Sequence, residues 1–118
     1  MKSLGRIYVE NEQVELSLAQ YADGSPAIVA MVVETGEPYG KLSVNLAGRT
    51  VLKSGEIAIK TYAENQSLAA AARRSGLFID TRKRVLLNTF KVDPSQQTGY
   101  GPGFTGRVKL EAEIWRLR

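Results

Sequence analysis

Three observations predict an α+β fold, a mainly antiparallel sheet of about six to eight strands with one short helix packed on it. Apolar residues alternate with polar ones through most of the chain, turn formers fall between the alternating runs, and one block of alanines breaks the period of two. At 118 residues, with apolar and charged fractions of 43% and 24%, the chain matches an ordinary globular protein, so a single domain over residues 1–118 is expected.

Gly5 to Val9 reads as the first strand and Gln13 to Tyr21 as the second, with Asn11 and Glu12 turning between them. In the second, Val14, Leu16 and Leu18 fall on one side and Glu15, Ser17 and Ala19 on the other. Asp23-Gly24-Ser25-Pro26 is a run of turn formers that reverses the chain. Ala27 to Val33 is nearly all apolar and rich in β-branched residues, the pattern of a strand covered on both faces. A second turn, Thr35-Gly36-Glu37-Pro38, precedes a run in which Leu42, Val44 and Leu46 alternate with Lys41, Ser43 and Asn45, and Ile57 and Ile59 mark a further short strand.

Glu64 to Ser75 is the helix. Leu68 and Ala69 to Ala72 are strong helix formers with no β-branched residue among them. Asn65 is placed as N-cap, Arg73 and Arg74 complement the negative end of the dipole, and Gly76 suits the left-handed position after the helix. Leu77 to Asp80 and Val85 to Val92 then read as two strands of a hairpin turned by Thr81-Arg82-Lys83-Arg84. Asp93 to Gly106 is a long polar, Gly-rich loop, and Arg107 to Trp115 returns to strict alternation, with Val108, Leu110, Ala112 and Ile114 inward.

The chain has no Cys and no His. Disulfides, thiolate nucleophiles and imidazole bases are therefore outside its chemistry, and so are the metal sites built on those two residues. Glu10 with Glu12 and Glu111 with Glu113 are the carboxylate pairs, and both read as solvated surface, because a cation site needs further convergent ligands. No catalytic residue, metal site or cofactor is assigned, and the chain reads as a non-enzyme. The longest apolar run, Ala27 to Val33, is about a third of the ~20 residues a helical membrane span needs, so no membrane partner is expected. Met1 to Glu10 has no apolar block of a signal peptide, which makes a cytoplasmic location the expectation.

Charge is unevenly spread: residues 1–66 carry 6 Lys/Arg against 8 Asp/Glu, and residues 67–118 carry 10 against 4. The positive field belongs to the C-terminal half. Arg73, Arg74, Arg82, Lys83 and Arg84, with Arg116 and Arg118, form one basic surface if the helix end and the expected hairpin tip lie together, and single-stranded nucleic acid is then a candidate partner. The run Gly99-Tyr100-Gly101-Pro102-Gly103-Phe104-Thr105-Gly106 lacks the Lys-Ser or Lys-Thr pair and the following helix of a phosphate loop. Tyr100 and Phe104 read instead as aromatic anchors of a contact loop, or as rings folded back on the core.

Gly36-Glu37-Pro38-Tyr39-Gly40-Lys41-Leu42-Ser43-Val44-Asn45-Leu46, after Gln20-Tyr21-Ala22-Asp23-Gly24 and Ala27-Ile28, resembles a family of small uncharacterised bacterial proteins of plasmids, phages and conjugative elements. In that family a Gly-Glu-Pro-aromatic turn leads into a Leu-Ser/Thr-Val-Asn-Leu strand. Ala63-Glu64-Asn65, Gly76-Leu77 and the glycine-aromatic loop near Tyr100 are loosely similar, so the likeness covers half to two thirds of the chain. The resemblance implies a non-enzymatic binding protein of a mobile genetic element in the cytoplasm of a bacterial host. Its implied role is that of an anti-CRISPR-type inhibitor, which blocks a host protein or ribonucleoprotein complex of CRISPR or restriction by steric occupation. Two other readings stand beside it: a single-stranded nucleic-acid binder using the basic C-terminal half, and a self-associating structural protein, a homodimer joined through a sheet edge.

Overall fold

In the computed structural model, which describes residues 1–92 and 106–118, the alternating runs pair as two antiparallel sheets. The first is a meander of β1 (Lys2–Val9), β2 (Glu12–Gln20), β3 (Pro26–Val32) and β4 (Pro38–Lys41), in that spatial order. The second contains β5 (Glu56–Ile59), β6 (Phe78–Val92) and β7 (Gly106–Leu117), with β7 in the middle. A 3₁₀ turn, Ala63–Asn65, leads into the helix α1 (Gln66–Arg74). The expected class, mainly antiparallel β with one short helix, is the class observed. Among the described residues no helix is long and apolar enough to cross a membrane.

Period-two alternation decides what each strand buries. Ile7, Val9, Val14, Leu16, Ile28 and Ala30 of the first sheet meet Ile57, Ile59, Phe78 and Trp115 of the second, and α1 adds Leu68, Ala69, Ala71 and Ala72 to the same core. The Phe78 and Trp115 rings lie 5.6 Å apart at a tilt of 50°. On the other face of the second sheet Ala58, Ala112 and Ile114 form a smaller cluster with Leu46, against which Val44, Leu52, Val85 and Leu87 pack.

Three expectations change. Leu42 to Leu46 is not a strand, and its burial does not alternate: Leu42, Ser43 and Leu46 are buried and Val44 is half-buried. The segment is a corner between the sheets: the Leu42 amide donates to Ile28 O on β3, while Leu42 O accepts from the Lys60 amide and the Val44 amide donates to Ala58 O. The Thr81 to Arg84 turn does not form a hairpin either. Both halves of that stretch pair with β7, from Phe78↔Leu117 to Val92↔Gly106, so β6 is one strand interrupted by a bulge between Asp80 and Lys83. Arg82 takes φ 67° there, its amide donates to Asp80 Oδ1 at 2.8 Å, and Thr81 Oγ1 donates to Ile114 O at 2.6 Å, so local side-chain bonds hold the extra residues in the strand.

Asn65 occupies the N-cap position but makes no side-chain cap bond. Its side-chain amide is buried and donates instead to Lys41 O at 2.6 Å, at the end of β4, and to Lys60 O at 3.1 Å, just after β5. At the other end of the helix Gly76 has φ 80°, the left-handed conformation its position calls for.

Ser43 Oγ accepts the buried Ile28 amide at 2.8 Å and shares a 2.9 Å hydrogen bond with Tyr21 OH. Ser43→Ala strands that amide inside the core, and the expected outcome is a loss of about 1–3 kcal/mol. Urea unfolding followed by circular dichroism checks it, as a lower midpoint at unchanged slope.

Candidate functional site

The five cations singled out by sequence come from two elements. Arg73 and Arg74 stand in the last turn of α1, and Arg82, Lys83 and Arg84 at the bulge of β6. Helix end and bulge do meet, but carboxylates lie between them. The Arg73 guanidinium donates to Asp80 Oδ2 at 2.9 Å and to Glu113 Oε1, and lies over the Trp115 ring 4.9 Å from its centroid. Arg84 reaches both Asp80 oxygens, at 3.1 and 3.2 Å, and Glu113 Oε1 at 3.5 Å. Trp115 Nε1–H completes the group with a 3.1 Å bond to Glu113 Oε1.

Lys83, next to Arg84 in the strand, points to the opposite face and pairs with the buried carboxylate of Glu56, which also accepts the Lys53 amide at 2.8 Å. The Lys83 bond and then the Lys53 amide hold the Glu56 carboxyl below its ordinary value. Three of the five cations are thus matched by three carboxylates. Arg74 and Arg82 have no ion-pair partner among the described residues. The two aromatic candidates, Tyr100 and Phe104, lie outside the described residues.

The opposite situation holds at one end of the first sheet. In a meander the first and third turns share an end, and here those turns carry acids. Glu10 and Asn11, at φ 47° and 71°, are the central residues of the β1–β2 turn, and Glu34 lies in the β3–β4 turn. Tyr8, Glu10, Glu12, Val33 and Glu34 line one open cavity of about 510 Å³. Tyr39 stands near it: burial, followed by the charges of Glu10 and Glu12, pushes its phenol above the ordinary value. Tyr8 is 69% exposed and Tyr39 37%. Glu10 accepts a 2.6 Å bond from Ser67 Oγ, which ties the turn to α1. Among the described residues no cation pairs with Glu10, Glu12 or Glu34, and no group of three or more acids is placed to hold a metal ion.

The pair Glu10 and Glu12 reads in isolation as solvated surface. The signal that brings it together with Glu34, Tyr8 and Tyr39 is topological, namely acidic turns two hairpins apart. Chemically the arrangement can receive cationic side chains, through carboxylates not already neutralised and through ring faces beside them. No family model, no curated protein and no solved structure matches the chain.

Partial burial raises the pKa of Asp80, but the bonds from Arg84 and Arg73 and the Arg82 amide outweigh it and hold the carboxyl well below the ordinary range. A carboxyl depressed in the folded state contributes stability that is complete above its unfolded value near 3.8 and is lost as pH falls through the folded value. Asp80→Asn is therefore expected to cost about 1–3 kcal/mol at pH 7. The cost should shrink as the pH is lowered below 4, which unfolding midpoints of both proteins across an acid titration check.

Proposed function

We propose that this chain is a non-enzymatic binding protein of a bacterial mobile genetic element that disables a host defence complex, of the CRISPR or restriction kind, by occupying its surface. The observation that carries the reading is the acidic end of the first sheet, where exposed Tyr8 and Tyr39 stand among glutamates that have no cation partner among the described residues. Complexes that act on DNA or RNA hold it in positively charged channels. Such channels bind two features of nucleic acid, negative charge and flat stacking faces, and this end of the sheet offers both.

Occupation of that kind needs a rigid surface and no bond-making step. The type I′ turn at Glu10 and Asn11, and the Ser67 bond to Glu10, supply the rigidity. The likeness of Gly36 to Leu46 to proteins of plasmids, phages and conjugative elements supports the mobile-element part of the reading, and with it action in the cytoplasm of a bacterial host. The basic half of the chain supports a nucleic-acid partner less, since three of its five candidate cations are already paired inside the fold.

Expression in bacteria with active CRISPR or restriction immunity should raise the plating efficiency of a targeted phage. The combined Glu10→Gln, Glu12→Gln and Glu34→Gln variant should lose at least about tenfold of that rise, the scale of a few lost charge contacts. Plating efficiency that stays at the control level in both kinds of host removes the proposal.

A further inference from the structure

β1 is an edge strand. It pairs with β2 alone, and its backbone makes no hydrogen bond to any other described residue. Exposed edges of this length are usually shortened, bent or covered, because their free N–H and C=O groups invite another strand. Here the first part is bent by a bulge between Ser3 and Gly5, whereas Gly5 to Val9 runs in unbroken register with β2.

That regular stretch borders a groove. Gly5, Ile7 and Tyr8 of β1 line one side, Ala71 and Arg74 of α1 the other, with Leu77 at its end, around an open space of about 280 Å³. Small residues keep it open. Gly5 takes φ 138°, which disfavours any side chain there, and a Cβ would stand in contact with the Leu77 methyl carbons at 3.4 and 3.5 Å. Ala71 is buried, so a larger side chain there would fill the floor.

The charges at the groove are unequal in availability. Arg6 is paired with Glu15 Oε1 at 3.3 Å, but Arg74 is exposed and has no ion-pair partner among the described residues. Arg73, one residue earlier, is consumed by Asp80 and Glu113. The free guanidinium therefore stands beside a free strand edge.

We infer that the groove between β1 and α1 is a docking site for an extended segment of a partner protein, which adds to β1 as a further strand and brings a carboxylate to Arg74. Strand addition satisfies the unpaired backbone groups of Gly5 to Val9 and gives affinity independent of sequence, and pockets for alternate side chains give selectivity. One set of side chains drops toward Ala71 and Leu77, where the volume admits only small or medium apolar groups. The carboxylate is the complement of Arg74. A second copy of this chain is a poor occupant, because its longest edges, β1 and β6, carry Lys2 and Arg82, which have no ion-pair partner among the described residues and set like charges against the groove. The inference rests on Arg74 and the edge of β1, not on the glutamates of the acidic end.

Panning a phage-displayed library of short random peptides on the full chain tests it. Enriched peptides are expected to alternate apolar and polar residues and to carry Asp or Glu at a recurring position. Synthetic copies should lose at least about tenfold in affinity, by fluorescence anisotropy, against Arg74→Glu, and regain it when their carboxylate is exchanged for lysine. Methylation of alternate peptide amides should abolish binding, whereas Glu10→Gln and Glu12→Gln should leave it unchanged. No enrichment, peptides that bind Arg74→Glu as tightly as the parent, or a dimer of the chain alone that Arg74→Glu disperses in sedimentation would each overturn the inference.

Discussion

The corner from Lys41 to Val44 is the constraint on which the rest of the structure depends. A chain that leaves one sheet for another exposes backbone groups that a continuous strand would have paired, and burying them unpaired costs about 1–3 kcal/mol each. Every side of the corner is met by a different element. β3 bonds the Leu42 amide, β5 and the residue after it bond Val44 and Leu42, Ser43 Oγ takes the Ile28 amide, and Asn65 at the helix entrance reaches Lys41 O. Because these donors and acceptors come from elements far apart in sequence, the corner places β5 and the start of α1 relative to the meander. Among the described residues no buried side-chain nitrogen or oxygen lacks a partner.

The second sheet is attached to the helix by charge as well as by apolar contact. Trp115 is 1% exposed and needs a partner for its indole N–H, Glu113 supplies it, and that carboxylate in turn needs the guanidinium groups of Arg73 and Arg84. A chain of requirements that begins with one buried ring thus draws cations from α1 and β6 to a single place. The consequence for function is that formal charge by sequence is a poor map of the field outside. The C-terminal half is rich in cations, yet Arg73, Lys83 and Arg84 are spent on internal ion pairs, while Glu10, Glu12 and Glu34 at one end of the first sheet have no ion-pair partner among the described residues.

What was legible in the sequence follows from how local each signal is. Alternation in Gln13 to Tyr21 and in Arg107 to Trp115, and the alanine block bounded by Gly76, depend on neighbours within a turn or two, and these elements stand where they were expected. The strand expected at Leu42 to Leu46 failed because apolar spacing reports which side chains can be buried and not how the backbone pairs, and here a corner buries Leu42 and Leu46 together with the polar Ser43. Thr81 to Arg84 reads as a turn because polar basic residues interrupt the apolar run, but a bulge interrupts it in the same way, and only the identity of the pairing strand separates the two. Asn65 has the right residue type at the right place for a cap, and a long-range demand for donors took its side chain. The acidic end was invisible for a related reason, since Glu10, Glu12, Glu34 and Tyr39 come together only once the strand order is known.

Tyr8 connects the two surfaces. It lines both the cavity among the glutamates and the groove beside Arg74, because an outward residue near the end of an edge strand touches the turn that follows and the open edge itself. Arg74 and the glutamates carry opposite charge and so prefer opposite partner groups. Substitution of Tyr8 disturbs both surfaces at once and cannot separate them. Arg74 and Glu12 can, because each belongs to one surface only.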